Sequence, residues 1–331
     1  MDAVQLISKR ESLVLKGIGI ILMLVHHLFY SEWSQGLYND IYIHGNGIVN
    51  QIGLFCKLCV AVFVFVSGYG LAAKYGEGLN LKQYYLHRFK KLYLNYWFIW
   101  LLFVPVGVFV FHRTFEDVYQ DHVVVKAGLD FLGLLHLTGL LGYNPTWWFY
   151  SCIIVLYLLF PWLNKRFDKS PFLIMTLCFF VAVLDFLPFI QPYGVYLITF
   201  GTGMLMARKP ELFKEISTIE CIIALCLLCM MRLISGRLTF IVDTLICIGL
   251  AMLLYRVRLP KWLETAMASL GKHSMNIFLF HTFIFYYWFS HWIYITRNPF
   301  IIFISLLIPC YLISVLIEFV KEKTGFNKLI G

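Results

Sequence analysis

Charge is what this chain has least of. Asp, Glu, Lys and Arg together make up 14% of its 331 residues, against about a quarter in soluble domains, while 60% are hydrophobic. Apolar runs recur from end to end, which excludes a soluble fold carrying a single anchor. No small-residue cleavage site follows the first run, so Lys9 and Arg10 introduce a retained helix rather than a removable signal. Alternating ten-residue segments are missing too, which excludes a membrane barrel and leaves helices as the way to satisfy a backbone in lipid. The net charge of +9 lies between the apolar runs, a topological pattern, and no nucleic-acid partner is expected. The nine cysteines fall almost wholly inside apolar segments. Cys56/Cys59 and Cys226/Cys229 have the spacing of half a zinc site or a redox pair, but without soluble loops to hold one they read as packing residues, and no metal is expected.

What is present is a series of runs close to the roughly 20 residues a membrane-spanning helix needs. Ten spans are expected, at 13–31, 51–73, 92–111, 147–163, 171–189, 193–207, 219–236, 238–255, 274–294 and 299–320. The sixth is short. An even count returns both termini to one side. With the N-terminus inside, 21 of the 27 Lys and Arg residues fall in inner segments, which makes both termini cytoplasmic. The fold class is therefore an all-α polytopic membrane protein, multi-pass in the cell (cytoplasmic) membrane, with lipid around it. Residues 1–331 form a single integral-membrane domain with no appended soluble domain expected.

Ionisable side chains inside such spans are expensive and mark functional sites by default. His26 and His27 lie in the first run. Lys16 precedes His27 by eleven residues, a rise of roughly 16 Å along a helix, which places a cation at one membrane face and an imidazole at depth. The pair also has a plain structural reading, as histidines bonded to a neighbouring helix. Tandem residues point about 100° apart, so at most one faces a given pocket. The inner segment Tyr84-Tyr85-Leu86-His87-Arg88-Phe89-Lys90-Lys91 either anchors the topology or grips an anion through charge-assisted hydrogen bonds. Two outer segments are large enough to shape a polar acceptor site: 32–50, with Trp33, Tyr38, Asp40, Tyr42, His44 and Asn46, and 112–146, whose stretch 128–141 is weakly apolar and suited to the interface.

Five stretches in this order carry a resemblance. They are Lys16 through His26-His27, Phe63 through Ser67-Gly68-Tyr69, Leu86 through Tyr93, Trp148-Phe149-Tyr150-Ser151 through Phe160-Pro161, and Ser269-Leu270-Gly271-Lys272 through His281. A weaker echo lies in Phe200-Gly201-Thr202-Gly203-Met204. Together they resemble the membrane-bound acyltransferase 3 family from residue 16 to residue 281. The resemblance implies transfer of an acyl group, most often acetyl, from cytoplasmic acyl-CoA as co-substrate to a hydroxyl of a cell-envelope or extracellular carbohydrate. It implies His27 as catalytic base, with His26 as the alternative if the register shifts by one, and Lys16, Arg88 and Lys91 on the CoA phosphates. Trp148, Tyr157, His281 and Ser67 would line the substrate cavity.

Some residues depart from the family pattern. Lys16 stands where Arg is commoner, keeping charge but losing bidentate phosphate geometry. Leu94 replaces a proline, and Ile153 and Ile154 stand where acidic residues are frequent. Candidates to orient the imidazole are then Glu32, Asp185 and Asp243, although the two aspartates can equally bond Arg232 or Arg237. No Ser or Cys stands beside the histidine, which favours direct attack over a covalent intermediate. Either the core acts alone, or a second copy (as a homodimer) or a partner envelope protein completes the transfer. The rival function is a transporter or exporter of a glycan or small polar solute, with the same histidines as a proton relay. Discontinuous helices and inverted repeats would favour it, and no half-to-half similarity is visible.

Overall fold

The computed structural model describes residues 5–330 except 44, 77, 168 and 185–192, and leaves out the side chains of residues 237 and 330. His44, Asp185 and the side chain of Arg237 therefore lie outside the described residues. The described residues are 80% helical, and their sheet is one short hairpin, Tyr42–Ile43 against Asn46–Gly47.

In chain order the helices are α1 (Lys9–Phe29), α2 (Ile48–Phe55), α3 (Cys59–Tyr75), α4 (Leu81–Phe109), α5 (Phe115–Tyr119), α6 (Val123–Phe131), α7 (Trp148–Phe167) and α8 (Pro171–Val183). They continue with α9 (Tyr193–Arg208), α10 (Thr218–Arg232), α11 (Thr239–Arg256), α12 (Lys261–Lys272), α13 (Ser274–Thr282), α14 (Ser290–Tyr294), α15 (Pro299–Lys323) and α16 (Phe326–Ile330). Among the described residues, six helical stretches are long and apolar enough to cross a membrane: Lys9–Phe29, Ile48–Tyr75, Leu81–Phe109, Pro145–Phe167, Thr239–Arg256 and Pro299–Lys323. The other expected spans also fall on helix, but on shorter pieces. Helices α8, α9 and α10 have 13, 16 and 15 residues, and residues 185–189 of the fifth span are outside the described ones. The stretch 274–294 is interrupted by a π-helical turn at Phe283–Trp288.

The helices group into two compact units, each assembled from separated stretches. The first comprises Met1–His26, Ile52–Leu79 and Val155–Lys272, and the second His27–Gln51, Asn80–Ile154 and His273–Gly331. In the first unit α3 crosses α9 at glycines. A side chain on Gly68 would run into the Phe200 carbonyl, and one on Gly203 into the Phe65 carbonyl. Likewise α1 meets α12 where Gly17 rests on the Met267 carbonyl and Gly271 on that of Leu13. Lipid provides no hydrophobic drive between helices, so small residues that let backbones approach are what hold such crossings together. Asp243 is spent on Arg232, whose Nε and Nη2 reach its two oxygens at 2.5 and 3.3 Å.

In the second unit α13 packs against α4 and α15 around a fully buried Lys321. Its ammonium donates to Asn95 Oδ1 (2.8 Å), Asn276 Oδ1 (3.0 Å) and Glu318 Oε1 (3.0 Å). Although its position suggests an inner-face anchor, Lys321 is a buried tie between three helices. The stretch 128–141 is folded around a carboxyl. Asp130 is fully buried, and its Oδ2 accepts from Tyr119 Oη and from the Tyr143 N–H, both at 2.7 Å. Its Oδ1 has no hydrogen-bond partner among the described residues. Burial pushes this carboxyl up to about 6, since charge is disfavoured where water cannot reach.

Candidate active site

Helix α1 presents its two histidines to different surroundings, as the 100° step between neighbours requires. The His26 Nδ1 lies 2.9 Å from the Gly53 carbonyl. A carbonyl only accepts, so that nitrogen carries the proton and the ring is a tie to α2. The His27 ring instead meets His281, with ring centroids 5.0 Å apart and planes inclined by 42°.

His281 is fully buried in the last turn of α13. Its Nδ1 faces the carbonyls of Ile277 (3.1 Å) and Phe278 (2.9 Å). The same argument puts the proton of the neutral ring on Nδ1 and leaves Nε2 as an acceptor. Thr282 Oγ1 stands 3.5 Å from that Nε2, at the outer limit of a hydrogen bond. Thr282 Oγ1 is in turn 3.2 Å from Thr146 Oγ1, which donates to Asn144 Oδ1 at 2.8 Å. Asn144 and Trp147 both donate to the Leu279 carbonyl, at 3.2 and 2.9 Å. The Phe283 N–H, the partner of that carbonyl in a regular α-helix, is bonded instead to the His281 and Phe280 carbonyls where the π-turn begins.

π-turns occur frequently at functional sites, and here the turn brings Phe285 to the histidines. The Phe285 ring stacks on His281 at 5.8 Å and lies 6.4 Å from His27. It is also 5.7 Å from Trp33, whose ring packs on Tyr286 at 4.6 Å. A wall of aromatic rings thus runs from the histidine pair to the segment after α1.

The remaining expected site residues are distributed over both units. In the first, Lys16 is half-buried on α1 immediately before Gly17, Ser67 is half-buried on α3, and Tyr157 is half-buried on α7. In the second, Arg88 is half-buried and Lys91 exposed, one turn apart on α4, and Trp148 is half-buried at the start of α7. Helix α4 begins at Leu81, so the basic stretch 84–93 is already helical. Glu32 is exposed in the 3-10 turn Glu32–Ser34. Of all these residues, the structure brings the rings of His27 and His281 together.

Sequence reasoning missed Asn144, Thr146, Trp147, Thr282 and Phe285. A signal for part of this set exists: Asn144-Pro145 reads as a helix cap followed by proline, and Asn144 Oδ1 does accept the Thr146 N–H at 3.0 Å. Nothing marks Phe285, since a π-turn shifts the phase of every later position. Among the tandem tryptophans the motif drew notice to Trp148, whereas Trp147 is the one tied to the histidine helix.

No curated protein and no solved structure matches the chain significantly. A family model described as an acyltransferase domain, that of acyltransferase 3, matches residues 13–319. It spans both units and the helix that carries each histidine. What short motifs suggested therefore holds for nearly the whole sequence, and the chain belongs to the acyltransferase 3 family.

Proposed function

We propose that this membrane acyltransferase moves an acyl group, most often acetyl, from cytoplasmic acyl-CoA to a carbohydrate hydroxyl at the outer face, with His27 as general base. The observation that carries this reading is the contact between His27 and His281 in a chain of this family. An unperturbed imidazole titrates near neutrality, which suits it to take a proton from a hydroxyl. In the proposed step His27 accepts the acceptor's proton and the oxygen attacks the thioester carbonyl. The C–S bond then breaks, and CoA leaves as a thiolate. A neutral His281 ring, 5.0 Å away between centroids, would leave the imidazolium that forms without a second positive ring beside it. Lys16, Arg88 and Lys91 are proposed to hold the CoA phosphates through charge-assisted hydrogen bonds. Ten crossings with both termini cytoplasmic, in the cell membrane, fit the distribution of Lys and Arg and place these cations on the donor side.

The test is transfer of labelled acetyl from acetyl-CoA to carbohydrate in membranes containing the wild type or His27→Ala. Loss of a general base lowers transfer by about 100-fold or more. Equal rates would refute the role of His27. Thermal stabilisation by CoA reports donor binding separately, at about 2.7 kcal/mol for ligand at a hundred times its Kd.

A further inference from the structure

The segment after α1 folds back on itself around a half-open polar cavity of about 230 Å3. Its frame is rigid for a loop. The Asp40 carboxylate accepts the N–H groups of Ile41 (2.8 Å), Val49 (2.8 Å) and Asn50 (3.2 Å), which caps α2 and closes the hairpin. Asp40 also presses on Gly47 so closely that a side chain there would displace it. Two further bonds tie the cavity to the end of α1, because Tyr38 Oη and Asn50 Nδ2 both donate to the Phe29 carbonyl, at 2.8 and 3.0 Å. Phe29 lies two residues past His27, a rise of about 3 Å. Trp33, at the near end of the same segment, reaches Phe285 and through it the histidine pair.

The chemistry of the lining narrows the ligand. Gln35, Asn46 and Gln51 each offer an amide that both donates and accepts, and Tyr42 adds an exposed aromatic ring. Lys and Arg do not occur among the described lining residues, and the carboxylate of Asp40 is already committed to backbone N–H groups. The nearest cation, Arg297, spends its Nη2 on the Gly36 carbonyl at 2.8 Å, so an anionic ligand would have to displace that bond to reach a counter-charge, and a cation would compete with three fixed donors. The volume falls below the roughly 300–1,000 Å3 of drug-sized pockets. We infer that this cavity is the acceptor subsite and takes one neutral hexopyranose residue, holding its hydroxyls on amide side chains beside the tyrosine ring. The inference rests on the acyl-transfer reading for its purpose, but not for its binding chemistry.

Saturation-transfer NMR on the purified full-length chain, with methyl β-glucopyranoside, methyl N-acetyl-β-glucosaminide and the anionic methyl β-glucuronide as probes, tests it. Saturation transfer to at least one neutral glycoside, and none to the glucuronide, is expected. Asn46→Ala and Gln51→Ala each remove one hydrogen-bonding amide and should weaken binding about fivefold, with melting unchanged because both side chains are exposed. No transfer to either neutral probe, equal transfer to the glucuronide, or equal binding by the double variant would overturn the assignment. The two readings fail separately. If a neutral glycoside binds as expected and no acetyl transfer is seen, the pocket stands and the acyl-transfer reading falls. If acetyl transfer proceeds and the double variant keeps the wild-type acceptor KM, the pocket falls instead.

Discussion

Trp147 gives its indole N–H to the carbonyl of Leu279 at 2.9 Å, two residues before His281. The bond is buried and ties α13 one turn before the π-turn. Trp147→Phe deletes the donor and leaves a small cavity where the wider indole sat. A buried hydrogen bond contributes about 1 kcal/mol net and a cavity of this size adds about 1 kcal/mol more, so the apparent melting point should drop. Acyl transfer should fall further than stability does, because the helix end that carries His281 loses a restraint. Comparing melting with transfer rate at a temperature where both proteins are folded checks this.

The tandem histidines should separate cleanly. His26 serves as a donor to the Gly53 carbonyl, so His26→Asn, which keeps an N–H donor near the same place, should retain most of the activity. His26→Ala should cost about 1 kcal/mol of stability. His27→Asn should lose transfer as fully as His27→Ala, because an amide cannot take up a proton. Activity that survives His27→Asn but not His26→Asn would reverse the two roles.

Glycine substitutions test the close helix crossings. Gly68→Ala and Gly271→Ala each drive a methyl group into a backbone carbonyl, that of Phe200 or of Leu13. Backbone cannot rotate away as a side chain can, so each should destabilise by about 1–3 kcal/mol. Gly128 has nothing within reach of an added Cβ and lies inside α6, where alanine is favoured by about 0.5–1 kcal/mol. Gly128→Ala should therefore melt no lower than wild type.

Lys321→Met probes the buried tie. The substitution leaves Glu318, Asn95 and Asn276 without their shared donor, and removing one member of a buried ionic network typically costs about 3–5 kcal/mol. A loss of folded protein is expected in detergent. Lys321→Met combined with Glu318→Gln should recover part of it, since no uncompensated carboxylate then remains.

Asp130 makes stability depend on pH in an unusual direction. Unfolded, its carboxyl titrates at the model-peptide value of 3.8, and in the folded protein at about 6. Between these values the native chain holds a proton that the unfolded chain has released. The contribution of Asp130 to stability therefore declines as pH rises from about 4 to about 6 and is level above that. Asp130→Asn keeps an oxygen for Tyr119 and the Tyr143 N–H but cannot ionise. Its melting temperature relative to wild type should rise across this window, as followed by thermal melts from pH 4 to 8.

Much of the helical framework was legible because lipid imposes local rules. A chain with few charges and recurrent runs of about 20 apolar residues has hardly any alternative to helices, and each run can be recognised without knowing its neighbours. Lys16 and His27 stood out for the same reason, as ionisable groups among apolar ones. Pairing was not legible in this way. When almost every face of every helix is apolar, the pattern does not say which faces meet, so only the family resemblance put His281 near the cavity of His27, while the contact of Asp243 with Arg232 was one option among several.

Sequence alone determined that this is a helical membrane acyltransferase with two histidines in its first helix, since composition and motif order suffice for that. Tertiary structure decided which of the two neighbouring imidazoles faces a second one, that the glycines of the motifs serve helix crossings, and that Lys321 is buried rather than solvated. It also decided the π-turn that brings Phe285 onto the histidines. The physical reason is that these outcomes depend on backbone approach and hydrogen bonding between residues as much as 266 positions apart, as in the bond of Tyr294 to the Leu28 carbonyl, and no local pattern encodes such distances.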